Sequence, residues 1–125
     1  MPATAFKAAV EARDFDAAIA LLADDVVFRS PAVFKPYEGR EAVAVLLRAV
    51  SETLEDFEYS DVFDGEDVHG LWFHARVGDR RLDGVDLLRF DADGRIREFT
   101  VMVRPLSGLM ALAQAMGERL GQPAA

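Results

Sequence analysis

Residues 80–104 read RRLDGVDLLRF, then DADG, then RIREFTVMVR. Two alternating runs joined by an Asp-Gly turn are the mark of a β-hairpin. Alternation assigns Leu82, Gly84, Asp86, Leu88 and Phe90 to one face of the first strand, and Asp83, Val85, Leu87 and Arg89 to the other. The first set is apolar apart from Asp86. A carboxyl group on such a face is costly unless it is paired, hydrogen-bonded or protonated, so Asp86 needs an explanation.

Upstream of the hairpin the period is helical. Ala5, Phe6, Ala9 and Val10 predict a helix from Thr4, as N-cap, to Ala12. Asp14 caps a second helix carrying Phe15, Ala18, Ile19 and Leu22, which Asp24 and Asp25 end. Val26–Phe28 is a short strand closed by Pro31, and PAVFKPYEGR, with two prolines and a glycine, is loop. Arg40–Leu54 is the third helix, with Val43, Leu46, Leu47, Val50 and Leu54 in one stripe. The period then falls to two. Phe57–Val62 and Val68–Val77 are strands leading into the hairpin, Pro105 stops the last strand, and Ser107–Leu120 is a final helix before a tail, GQPAA, expected to fray. Helices followed by an antiparallel four-stranded meander make an α+β domain over residues 1–125.

The charge excludes several partners. Fourteen Lys and Arg against 22 Asp and Glu leave a net charge of −8, which repels phosphate backbones and anionic membrane surfaces. No cysteine is present, so neither a disulfide framework nor a thiolate nucleophile or metal site is available. The start, MPATAFKAAVEARD, lacks the basic and apolar regions of a signal peptide, and the chain is expected to be cytoplasmic. No metal or cofactor is expected: the two histidines fall on opposite strand faces, and the glycines are scattered one to a turn.

The segments FKAAVEARDFDAAIALLADDVVFRSP, the helix after GREAV, and VDLLRFDADGRIREF, in that order, resemble the NTF2-like superfamily, in its SnoaL-like and ketosteroid-isomerase-like branch. The resemblance reaches nearly to Arg104. It implies a cone: a curved antiparallel sheet wrapped around the N-terminal helices, here with an additional C-terminal helix, and an apolar cavity at the open end. In the isomerase branch a Tyr on the first helix and a protonated Asp on a central strand form an oxyanion hole, and an Asp ending the first strand shuttles the proton. Carried onto this chain, the resemblance places Phe6, Ser30 and Asp86 at the Tyr, shuttle and central-strand positions respectively. A phenyl ring donates no hydrogen bond and a serine hydroxyl is a poor shuttle, so the ketosteroid mechanism is not expected.

Asp86 is the leading catalytic candidate, as an acid whose pKa desolvation raises; the alternative is a structural carboxylate paired inside the cavity. His69 shares strand parity with Leu71, Phe73 and Ala75 and is a candidate partner for Asp86, or else a rim residue. Ser30 and Tyr59 can present hydroxyls to a ligand, and Tyr37 sits in a loop able to act as a lid. Phe6, Phe28, Phe34, Leu71, Phe73, Leu82 and Leu88 supply apolar wall, and the resemblance sends Phe99, Val101 and Val103 to the same side, making a pocket for a small apolar ligand. The same aromatics can instead fill a core.

Trp72, Val85, Leu87 and Met102 fall on the opposite strand faces, and apolar residues on both faces imply that both are covered. A homodimer through this outer face is expected. Three functions stay open: an acid–base enzyme of isomerase, cyclase, dehydratase or epoxide-hydrolase type, a non-catalytic binder of a small apolar ligand, and a dimeric interaction module.

Overall fold

The computed structural model describes residues 2–121; residues 122–125, most of the tail expected to fray, lie outside them. In chain order the elements are α1 (Pro2–Glu11), α2 (Phe15–Ala20), β1 (Leu22–Arg29), β2 (Tyr37–Glu38), α3 (Arg40–Thr53), β3 (Glu55–Asp64), β4 (His69–Val77), β5 (Arg80–Phe90), β6 (Ile96–Arg104) and α4 (Leu106–Leu120). The α+β reading holds, with four helices on an open, curved six-stranded sheet ordered β2-β1-β6-β5-β4-β3. The meander β3–β6 is antiparallel throughout. One pairing departs from this pattern: β1 lies parallel to β6, because the connection through α3 is long enough to bring the first strand beside the last in the same direction.

Boundaries differ where local signals compete. Thr4 is not an N-cap; α1 already starts at Pro2, whose fixed φ and missing N–H are tolerated in a first turn. Asp14 does cap α2, its Oδ1 accepting from Ala17 N at 3.1 Å. The second helix ends at Ala20, before the two aspartates. Leu22 is instead the first residue of β1 and pairs with Ile96, while Asp24 and Asp25 are exposed strand residues. An apolar run such as IALLA fits a helix end and a buried strand equally well, so periodicity could not place that junction. Tyr37 and Glu38, expected in loop, pair with Phe28 and Val27 as a two-residue edge strand.

Two irregularities re-aim side chains. A bulge opposite Arg89 and Phe90 breaks the alternation of β6, and Ile96, which shares its parity with outward Met102, is fully buried. A second bulge, between Tyr59 and Asp61, similarly shifts the outer half of β3. The inner face then carries Leu71, Phe73, Ala75, Leu82 and Leu88 under the helices, all buried as alternation required. Each buried leucine or phenylalanine here contributes about 1.5–3 kcal/mol. Glycine matters where α4 meets the sheet: a Cβ on Gly108 would stand 2.8 Å from the Arg81 carbonyl oxygen and 2.8 Å from Leu82 Cβ, so only glycine lets the helix lie this close. Arg119 fixes the far end of α4, its Nε donating to Thr53 Oγ1 at 2.9 Å and its Nη1 to Glu52 at 2.9 Å.

Candidate functional site

A cavity of about 280 Å³ opens between the inner sheet face and the helices. Its wall is mostly aromatic and aliphatic. Phe99 packs against Phe6 and Phe28 with ring centroids 5.3 and 5.2 Å away, and Phe57 stacks on Phe73 at 5.2 Å and meets Tyr59 edge-on at 4.9 Å. Leu46, Leu47 and Val50 from α3, Val101 and Val103 from β6, and Leu112 and Met116 from α4 also line it.

Asp86 is the polar centre of this wall. It sits mid-strand in β5, opposite Leu71 on one side and Val101 on the other, and is 6 % exposed. Its neighbour two residues back is Gly84, where a Cβ would stand 2.4 Å from the Met102 carbonyl oxygen and 2.7 Å from the Phe73 ring, so the missing side chain makes room for that ring. The Tyr59 hydroxyl, on β3 two strands away, donates to Asp86 Oδ2 at 2.8 Å. No group among the described residues bonds the other oxygen. Since no fully buried side-chain oxygen or nitrogen among the described residues lacks a partner, Oδ1 is open to the cavity.

Burial raises the Asp86 pKa to about 7, against the smaller opposing effect of the Tyr59 hydrogen bond, which favours the carboxylate. Burial also pushes the Tyr59 phenol well above its ordinary value, and the nearby Asp86 and Glu11 carboxylates add to that shift. Tyr59 is therefore a fixed donor. With Oδ2 occupied as an acceptor, a proton on the carboxyl group belongs on Oδ1, where it points at whatever the cavity holds.

The sequence candidates separate clearly. Phe6, Phe28, Ser30, Tyr59, Phe73, Asp86, Phe99, Val101 and Val103 lie on the cavity wall. Leu71, Leu82 and Leu88 do not; they are packed beneath it in the core. Phe34 is corrected outright, being fully exposed in the loop after β1, where Pro31, Ala32 and Val33 line the rim in its place. His69 is not the partner of Asp86. Although it stands diagonal to Asp86 across the β4–β5 ladder, its Nδ1 bonds Asp64 at the end of β3 and its ring rests on Phe90 at 5.4 Å. Parity gave the correct face for His69, but the end of β3, paired directly with it, supplied a nearer carboxylate. Ser30 Oγ accepts from Ala32 N at 3.0 Å, shaping the rim. Sequence reading missed Phe57, the charged rim residues Glu11 and Arg13, and the α4 wall. Phe57 had a signal, since it alternates with Tyr59 on β3.

An apolar cone with a carboxyl group on its central strand defines a class of small α+β pocket proteins, and comparisons with known proteins narrow it. The SnoaL-like domain model matches residues 3–99, and the chain belongs to that family, within the NTF2-like superfamily. It is similar to a steroid delta-isomerase from Pseudomonas aeruginosa, with 43% identity over 96% of this chain and 89% of that one and a TM-score of 0.91. An uncharacterized protein with a cystatin-like fold from Silicibacter pomeroyi shares 32% identity over 96% and 85% of the two chains, with a TM-score of 0.90. An NTF2-like protein of unknown function from Mesorhizobium loti shares the fold, with a TM-score of 0.72 at 23% identity over 83% and 88% of the chains. No curated protein matches the chain.

Proposed function

We propose that this protein is an acid–base enzyme for a small, largely apolar carbonyl compound or epoxide, with Asp86 as the acid. The observation that carries the reading is one geometry: a buried carboxyl group, poised near neutrality, with one oxygen held by Tyr59 and the other open to the cavity. Neutral Asp86 donates a hydrogen bond from Oδ1 to a substrate oxygen, stabilising charge that develops there, or delivers the proton. Tyr59 orients the carboxyl group. The aromatic wall excludes water, which strengthens the interaction. Similarity to a steroid delta-isomerase favours proton-transfer chemistry of this kind. Phe6 and Ser30, at the positions the ketosteroid mechanism assigns to a Tyr and an Asp, argue for a different division of labour.

Carboxyl ¹³C NMR tests this. The Asp86 resonance is expected to titrate near 7 and to move when 1-tetralone is added. An ordinary carboxylate titration that ignores the ketone overturns the acid reading and leaves a passive apolar pocket.

A second copy of the chain on the outer sheet face belongs to the same proposal. Trp72, Val85 and Met102 stand directly opposite one another across β4, β5 and β6, with Trp72 44 % and Met102 56 % exposed; Leu87 flanks the row and Phe63 covers Gly70 beside it. Such a patch favours a covered face. Light scattering is expected to give twice the chain mass for the wild type and the chain mass for Trp72→Glu; a monomeric wild type overturns the dimer.

A further inference from the structure

Among the described residues three charged ones line the cavity: Glu11, Arg13 and Asp86. Two of them carry little net charge toward a ligand. Both carboxylate oxygens of Glu11 are held by Lys7 Nζ, at 2.9 and 3.0 Å, and Asp86 is neutral when it acts as the acid. Arg13 differs. Arg29, Arg40, Arg76, Arg89 and Arg119 each pair with a carboxylate, whereas among the described residues none pairs with Arg13, Arg81 or Arg95, and of these three Arg13 lines the cavity. In a chain of net charge −8 the rim of this cavity is locally cationic.

The guanidinium is also held in place. Its Nη2 donates to the Ser51 carbonyl oxygen at 3.3 Å and its Cζ lies 5.4 Å from the centre of the Phe15 ring, both neighbours being cavity-lining residues themselves. One of five N–H donors is used. The backbone points the same way. Arg13 takes φ 57° just after α1, with Arg13 N bonded to Val10 O at 3.0 Å and Asp14 N to Ala9 O at 2.9 Å. Glycine is the usual residue at such a helix terminus, so an arginine there stands against local conformational preference.

Resting on the acid reading of Asp86, we propose that the cavity takes an oxo-acid: an apolar body whose ketone oxygen reaches Asp86 and whose carboxylate is held at the rim by Arg13. A planar carboxylate matches the guanidinium fork, and Arg13 meets the anionic end while the neutral carboxyl meets the ketone. The cavity, near the lower bound of about 300 Å³ for sites of drug-sized ligands, suits a compact skeleton.

The test uses aryl keto-acids of graded length, 3-benzoylpropanoate to 5-benzoylpentanoate, and their methyl esters, with binding read by calorimetry and backbone NMR shifts. The wild type is expected to bind at least one acid on the order of 10–100-fold more tightly than its ester, the usual worth of a charge-assisted hydrogen bond. Added salt should shrink the difference. Arg13→Gly, which relieves the backbone and therefore folds, is expected to bring acid and ester within about twofold. Equal binding of acid and ester to the wild type, or a preference that survives Arg13→Gly, overturns the anchor. The reading of Asp86 is scored separately through Asp86→Asn: ester binding altered by it upholds the acid even if the anchor fails. A wild type that binds neither series overturns both.

Discussion

Strand β5 carries two aspartates three residues apart, and the sheet treats them in opposite ways. Asp83 faces outward and is held by cationic and neutral donors at once, Arg104 Nη1 at 3.0 Å on Oδ1 and Trp72 Nε1 at 3.0 Å on Oδ2. Asp86 faces inward with one phenolic donor and an apolar wall. Chemistry identical in sequence is thus fixed as an ion-paired anion on one side of the sheet and a poised acid on the other. Desolvation decides the difference, because the outer face offers both water and a guanidinium, and the inner face offers neither.

Four substitutions break or sharpen this contrast. Phe73→Ala opens the wall beside Asp86 and is expected to cost about 3–5 kcal/mol in urea unfolding, the usual result for a buried phenylalanine; a cost under about 1 kcal/mol would mean the inner face is not packed as described. Asp86→Asn has a pH signature. The folded pKa, about 7, lies above the unfolded value near 3.8, so the native state binds the extra proton between these limits. The contribution is favourable at low pH and is lost as pH rises through 7. The variant, free of this penalty, is expected to match the wild type near pH 3.5 and to exceed it by up to about 4 kcal/mol at pH 8, at 1.36 kcal/mol per pKa unit. A difference independent of pH would contradict the buried-acid geometry. Tyr59→Phe removes the hydrogen bond that favours the carboxylate, so Asp86 should titrate above its wild-type midpoint by NMR, at a cost of about 1 kcal/mol. Asp83→Asn is expected to change stability by less than about 1 kcal/mol, with a loss confined to low salt, as for other exposed pairs.

Much of this contrast was legible beforehand because alternation along β5 is uninterrupted from Leu82 to Leu88, and each residue there faces as its parity requires. Legibility ended where the ladder is irregular. The bulge opposite Arg89 turned Ile96 inward, and nothing in IREFTV marks it. Partners were harder than faces. His69 and Tyr59 share the inner face, but which one meets Asp86 depends on the carboxylate that ends β3 and on ring direction, and neither has a sequence period. The exposure of Phe34 was hidden for a related reason, since a loop between prolines imposes no parity on its side chains.

The close seat of α4 has a consequence for how such pockets diversify. The family match ends at residue 99, yet Leu109, Leu112, Met116 and Leu120 furnish one side of the cavity, and Gly108 and Arg119 clamp that helix at both ends. The carboxyl group and this side of the wall thus come from separate parts of the chain, β5 and the C-terminal helix. Replacement of the helix between its two clamps would reshape the ligand space without touching the strand that carries Asp86, which under the proposed acid reading lets specificity drift while the chemistry stays put.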